Sequence, residues 1–250
     1  MELFVFLDLD DTVFQTQRKC PPNTVITPAT FLKEGSTNSF FTKKQQHLFN
    51  LLKANTRLIP TTGRDYASFL RVPSIQTFDY AIINYGGIIL NAEGSVDKAW
   101  FNLIASKINP LLSELKTLTK YVETMAKTQS IPLKIRLVAD FGLTFYLSIK
   151  HHDRDPEVLK AVSNQIIKPY LNAQQLDFYC HLNDNNLAVF PQFLNKAPAV
   201  SYLLQQFNQT YANYLSFGVG DSLTDMPYMQ LCDYFITPTN SQILQKKFLG

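Results

Sequence analysis

Cysteine is scarce and badly placed for cross-linking in this 250-residue chain. Cys20, Cys180 and Cys232 are odd in number and far apart, which excludes a disulfide framework and any cysteine-based metal spacing. Long apolar runs are lacking as well: no stretch approaches the ~20 residues of a membrane span. Met1–Leu7 carries Glu2 and is too short and too acidic for a signal peptide. No charge of one sign dominates, since 23 Lys and Arg stand against 20 Asp and Glu, a formal net charge of +3. No run of Lys and Arg is longer than pairs such as Lys43–Lys44 and Lys246–Lys247, which gives no case for nucleic acid or anionic membrane as partners. Internal repeats and low-complexity tracts are missing too. What is present is apolar material, 46% hydrophobic against 17% charged. That is enough for a sizeable core in one large or two modest domains, and it excludes disorder as the dominant state. The expectation is a cytoplasmic protein, a monomer or small homo-oligomer.

The chain opens on Leu3–Leu7, an uninterrupted apolar run ending abruptly in Asp8-Leu9-Asp10-Asp11, which suits a strand buried on both faces of a parallel sheet. Thr16–Thr42 is polar, with Pro21-Pro22 and Pro28, and reads as a long loop with one short helical turn. Helix is expected at Lys43–Ala54, strand at Arg57–Pro60, helix at Arg64–Leu70, and strand at Tyr80–Asn84 before Gly86-Gly87. The end of the chain repeats the alternation: helix at Ala197–Phe207, strand at Leu215–Val219, helix at Ser222–Leu231, strand at Asp233–Ile236. Such alternation implies a doubly wound, mostly parallel α/β sheet of Rossmann type. Between the two blocks the rhythm changes to a long helix over Phe101–Thr128, paired strands Leu133–Val138 and Leu143–Lys150, a helix Pro156–Leu171 capped by Asp155, and paired strands Phe178–His181 and Leu187–Phe190. This is an inserted α+β domain over residues 97–191, which leaves a core made of 1–96 and 192–250.

Four signals fall at strand ends or helix starts. They are Asp8 and Asp10 with Thr12, then Thr62-Gly63-Arg64, then Lys196, then Gly220-Asp221 with Asp225. Active sites of open α/β sheets lie outside the carboxyl ends of the strands. Carboxylates gathered there repel one another unless neutralised, and Mg²⁺ accepts one or two carboxylates along with water and phosphate oxygens. A lysine, a hydroxyl and loop amides in the same cleft define a pocket for a tetrahedral anion. Each residue also has a plainer reading: turn residues for Asp10-Asp11, helix caps for Thr12, Asp221 and Asp225, and a solvated surface lysine for Lys196.

In order along the chain, these four elements resemble the motifs of the haloacid dehalogenase-like phosphohydrolases. The position of the insert resembles the members with an α+β cap of the second type, such as the Cof-type, sucrose-phosphate and trehalose-phosphate phosphatases. The resemblance covers the core by motif and the cap by architecture. It implies a Mg²⁺-dependent phosphatase acting on a small phosphorylated metabolite, a sugar or polyol phosphate, through an aspartyl-phosphate intermediate. Asp8 would be the nucleophile and Asp10 the acid and base. Mg²⁺ would be held by Asp8, the Asp10 carbonyl and Asp221, with Asp225 assisting. Thr62, Gly63 and Lys196 would hold the phosphoryl group. Asp11 stands where glycine is usual, Ala197 where glycine often follows the lysine, and Thr224 where asparagine is common; none removes a catalytic group.

Arg64 has two readings, a phosphate or substrate contact and a structural salt bridge. Alternation puts Lys134 and Arg136 on one face of a cap strand and Leu133, Ile135 and Leu137 on the other. The two basic residues are therefore either substrate contacts or a solvated face. His151, His152 and His181 read as structural or exposed. Two other functions remain open at this point, a phosphosugar mutase on the same core and a non-catalytic metabolite-binding protein.

Overall fold

The computed structural model describes residues 1–248. Its first part runs β1 (Glu2–Leu7), β2 (Ile26–Phe31), β3 (Thr37–Thr42), α1 (Lys43–Asn55), β4 (Arg57–Pro60), α2 (Tyr66–Phe69), β5 (Tyr80–Ile83) and β6 (Ile88–Asn91). Then come α3 (Lys98–Ile108), α4 (Leu112–Thr128), β7 (Leu133–Asp140), β8 (Leu143–His151), α5 (Pro156–Ala161), α6 (Lys168–Ala173), β9 (Phe178–Asn183) and β10 (Asn186–Pro191). The chain ends with α7 (Lys196–Thr210), β11 (Tyr214–Val219), α8 (Met226–Met229), β12 (Tyr234–Ile236) and α9 (Gln242–Phe248). It divides into two compact units, Met1–Phe101 with Asn195–Gly250, and Asn102–Leu194.

The first unit is built on a parallel sheet of order β12-β11-β1-β4. A bridge between Thr61 and Ile82 leads from β4 to the β5–β6 hairpin. Phe4, Val5, Phe6 and Leu7 are fully buried, as the continuous apolar run of β1 requires. Phe4 stacks on Phe207 of α7 at 4.2 Å. From β1 the chain winds to β4 on one side and later returns to β11 on the other. The order therefore reverses at β1, which opens a crevice at the carboxyl ends of the central strands.

Several sequence expectations are corrected. The stretch Thr16–Thr42 is not a loop: after a single helical turn at Gln17–Lys19 it forms the antiparallel pair β2–β3. Its Thr, Ser and Phe residues favour extended backbone, and Thr30, Ser39 and Phe41 are buried. Gly35, at φ +87°, takes the left-handed position of the turn. The Arg64–Leu70 helix shrinks to α2, with Asp65 accepting from the Ser68 amide as its cap. The Ser222–Leu231 helix shrinks to α8. The Gly86-Gly87 break is a tight turn, and the apolar residues beyond it form β6, which sequence reasoning did not assign.

In the second unit β7, β8, β10 and β9 form an antiparallel sheet. Phe141 and Gly142 supply the positive φ values that a two-residue hairpin turn requires. One sheet face, through Leu147, Ile149, Leu187 and Val189, packs on Leu118, Val122, Leu159 and Ile166 of the helical layer. The long helix predicted over Phe101–Thr128 is interrupted at Asn109–Leu111, where Pro110 lacks the amide needed to continue the ladder. The helix after Asp155 begins at Pro156 as expected, but it passes through a π-helical stretch at Val162–Ile167 before α6.

Candidate active site

Each loop at the carboxyl edge of the first unit's sheet delivers one part of a polar cluster. β1 ends at Asp8, whose amide donates to Val219 O of β11 at 2.8 Å. The chain then folds back on itself through Val13 N to Leu9 O and Asp11 N to Phe14 O. Asp11 sits at φ +67°, a region that aspartate tolerates better than most residues, and it pairs with Lys19 at 2.6 Å. Thr62, Gly63 and Arg64 follow β4. Lys196 is the first residue of α7, where Asn195 caps the helix by accepting from the Ala197 amide. β11 ends at Gly220-Asp221, and a Cβ at Gly220 would lie 2.7 Å from that of Asp225, so the bend leaves room for no side chain.

The ammonium of Lys196 reaches Asp8 Oδ1 at 2.6 Å and Asp225 Oδ1 at 2.7 Å. All three residues are buried. The other Asp225 oxygen accepts from the Ser222 amide at 3.0 Å and its hydroxyl at 2.6 Å. Thr12 Oγ1 lies 2.9 Å from Asp8 Oδ2 and 3.0 Å from Asp221 Oδ1. Its single hydrogen can serve only one of them at a time. Asp10 is held apart from this group: both its oxygens accept from Arg64, at 2.7 Å each. Arg64 also donates to Ser68 O and covers the Phe14 ring. This ion pair is the contact that its structural reading expects.

Carboxylate oxygens of Asp8, Asp221 and Asp225 lie within 4.8 Å of one another. With Asp10 matched by Arg64 and Asp11 by Lys19, three carboxylates face one ammonium. The titration behaviour follows. Burial pushes the Asp8 carboxyl well above its ordinary range, with Asp225 and Asp221 adding to it against the pull of Lys196. Asp221 is pushed up to about 7 by burial and by the charges of Asp225 and Asp11. Burial would strip Lys196 of its proton, but Asp225 and Asp8 outweigh it and hold the lysine above its usual value. Burial likewise raises Asp10, and Arg64 more than offsets this, so Asp10 titrates below the usual carboxylate range. An all-oxygen donor set with two uncompensated negative charges fits a hard divalent cation such as Mg²⁺. Asp225 accepts from Lys196 on one oxygen and from Ser222 on the other.

The structure thus gathers Asp8, Asp10, Thr62, Gly63, Arg64, Lys196, Asp221 and Asp225 in one unit. Thr62 is buried and accepts from the Arg64 amide at 3.2 Å. Lys134 and Arg136 belong to the second unit, exposed on the face of β7 opposite Leu133, Ile135 and Leu137. Tyr85 is a residue that sequence reasoning passed over. It follows β5, and its ring lies against Gly63, where a Cβ would collide with Tyr85 Cε1. Burial raises its phenol, and the charges acting on it most are those of Lys196, Asp10 and Asp8. The signal available was Asn84-Tyr85-Gly86-Gly87 at a strand's carboxyl end.

Comparison with known proteins supplies the family. The sequence profile described as sucrose-6F-phosphate phosphohydrolase matches residues 2–234. A search of curated protein sequences finds no match. Among solved structures, the C-terminal domain of C. albicans trehalose-6-phosphate phosphatase is similar at 20% identity and a TM-score of 0.55, over 92% of this chain and 73% of that one. A Thermoplasma acidophilum protein is similar at 16% identity and a TM-score of 0.56, over 98% and 88%. The Synechocystis sucrose-phosphatase, solved with sucrose and phosphate, is similar at 17% identity and a TM-score of 0.51, over 99% and 86%. At these identities the likeness to the solved structures is one of fold.

Proposed function

This chain belongs to the sucrose-6F-phosphate phosphohydrolase family, a family of sugar-phosphate phosphatases, and from that premise we propose that it is a Mg²⁺-dependent phosphatase hydrolysing a sugar or polyol phosphate through an aspartyl-phosphate on Asp8. The observation that carries the proposal is the meeting of the Asp8, Asp221 and Asp225 carboxylates within 4.8 Å, with the Lys196 ammonium bonded to Asp8 and Asp225.

In this reading a carboxylate oxygen of Asp8 attacks phosphorus, and the bond from phosphorus to the ester oxygen breaks. One difficult displacement is thereby split into two easier ones. Asp10 gives its proton to the departing alkoxide, then takes one from the water that cleaves the acyl phosphate, releasing inorganic phosphate and restoring Asp8. Acid–base assistance of this kind contributes ~10²–10⁴ in rate. The resting pair of Asp10 with Arg64 suits the second step, in which Asp10 must be ionised. The first step requires Asp10 to leave Arg64 carrying a proton. Thr62, Lys196 and the amides that follow Asp8 and Thr62 hold the phosphoryl oxygens, a stabilisation whose loss typically costs ~3–4 kcal/mol per donor. Asp8, the Asp10 carbonyl and Asp221 would hold Mg²⁺, which when bound offsets the charge of the carboxylates and of the transferring phosphoryl group. Asp225 fixes Lys196 in place.

The unit Asn102–Leu194 is the proposed cap and specificity domain, with Lys134 and Arg136 contacting the organic part of the substrate. The three free thiols support a cytoplasmic location. The test is phosphate release by the purified chain from a panel of phosphorylated metabolites with Mg²⁺, with Asp8→Asn as the control. Release abolished in the variant is expected. No release from any phosphomonoester would overturn the assignment, and an isomerised phosphosugar without free phosphate would point to a mutase.

A further inference from the structure

We propose that Tyr85 is a phosphoryl-binding residue of this site, its hydroxyl donating to a phosphoryl oxygen from a backbone held strained for that purpose. The proposal rests on the phosphomonoester reading above and adds to it a contact that the four motifs do not contain.

The strain is local and specific. Asn84, Tyr85 and Gly86 have φ of +52°, +57° and +94°, three successive residues in the left-handed region. Only glycine enters that region freely; a bulky aromatic there is an outlier that persists only where its surroundings over-determine it. Those surroundings are in place. The Asn84 amide donates to Arg64 O at 2.8 Å and the Tyr85 amide to Thr62 O at 3.2 Å, so the turn is bonded on one side to the loop after β4. On the other side Trp100 Nε1 donates to Gly86 O at 2.9 Å. A Cβ at Gly86 would collide with Asn195 O and lie 3.2 Å from Lys196 Cα, so the turn is also pressed against the start of α7. The peptide that carries Tyr85 is therefore clamped between the segments bearing Thr62, Gly63 and Lys196.

The clamp aims the side chain. The ring lies across Gly63, whose missing Cβ would sit 2.5 Å from Tyr85 Cζ, the carbon that bears the hydroxyl. The hydroxyl-bearing end of the ring is thus at Gly63, the residue following Thr62. Among charges, that of Lys196 acts on the phenol most strongly, followed by the carboxylates of Asp10 and Asp8. Positive φ at an aromatic also occurs at Phe141 in the β7–β8 turn; at Tyr85 it coincides with a clamp between the segments bearing Thr62, Gly63 and Lys196. A donor fixed in this way before substrate arrives removes an entropy cost from binding.

The test is binding of inorganic phosphate to the full chain in the presence of Mg²⁺, measured by calorimetry, for wild type and Tyr85→Phe. Phenylalanine keeps the ring, the contact with Gly63 and the backbone, and removes only the hydroxyl. A lost hydrogen bond to a charged ligand should weaken phosphate roughly tenfold or more. Phosphate bound by Tyr85→Phe within twofold of wild type would overturn this inference and leave the phosphatase reading intact. A wild-type chain that binds no phosphate at all would remove both.

Discussion

Replacing Asp221 by asparagine should stabilise the metal-free protein while destroying its response to metal. The folded Asp221 carboxyl is pushed up to about 7, against ~3.9 for an unperturbed aspartate. Its folded pKa therefore exceeds its unfolded one, so the folded chain holds a proton that the unfolded chain releases. Stability is highest below the unfolded value and falls as pH rises from ~4 to about 7. A tenfold change in proton affinity is worth ~1.36 kcal/mol, so a folded value about three above the unfolded one sets a ceiling of ~4 kcal/mol above pH 7. Asp221 is only partly buried, and solvent screening reduces that figure to ~2 kcal/mol.

Asparagine has nearly the same shape, keeps an oxygen for the Thr12 hydroxyl, and cannot ionise. At pH 8 in chelator, Asp221→Asn should therefore melt ~4–8 °C above wild type, taking ~2–4 °C per kcal/mol for a chain of this size. At pH 5 the gap should narrow. Adding Mg²⁺ should raise the wild-type melting temperature through linkage and leave the variant nearly unmoved. Thermal denaturation of both proteins at the two pH values, with chelator and with Mg²⁺, reads each of these differences. A variant that melts at or below wild type at pH 8 in chelator would refute the charge argument. A variant that gains as much from Mg²⁺ as wild type would refute the placement of the ion.

Gly63→Ala drives a Cβ into the Tyr85 ring; overpacking of this sort costs ~1–3 kcal/mol. The variant should melt lower and, by displacing the ring, bind inorganic phosphate as weakly as Tyr85→Phe; wild-type affinity at a lowered melting temperature would argue against the placement of the ring. Replacing Lys134 and Arg136 together by alanine should raise KM for a sugar phosphate severalfold. It should leave p-nitrophenyl phosphate turnover and the melting temperature unchanged, since both side chains are exposed; an unchanged KM on every sugar phosphate turned over would return them to a solvated face.

The parts of this molecule that could be read from its sequence are those encoded by neighbours in the chain. Leu3–Leu7 announces β1 because burial on both faces demands an unbroken apolar run. Asp8, Asp10 and Thr12, or Gly220, Asp221 and Asp225, lie within one turn of backbone each, so their spacing already contains most of their geometry. Lys134 and Arg136 fall on the exposed side of β7 because strand alternation leaves no other choice. β2 and β3 escaped notice for the opposite reason. Their alternation is carried by Thr and Ser, whose burial alongside Phe41 no hydrophobic count registers.

What could not be read is whatever depends on two distant segments meeting. The pairing of Asp10 with Arg64 spans 54 positions, and it changes the chemistry expected of both residues. It holds Asp10, the proposed acid–base group, as a carboxylate at rest and gives Arg64 a partner within the core. Tyr85 is harder still. A tyrosine after a strand has no intrinsic reason to adopt positive φ. Its place follows only from the Arg64 and Thr62 carbonyls that take its turn's amides, the Trp100 indole that holds Gly86, and the helix start that leaves Gly86 no room for a side chain. Strain of that kind is a property of the folded site and has no counterpart in any local pattern. The departure of the backbone from what its residues prefer, combined with its place beside Thr62, Gly63 and Lys196, is therefore the feature that singles Tyr85 out.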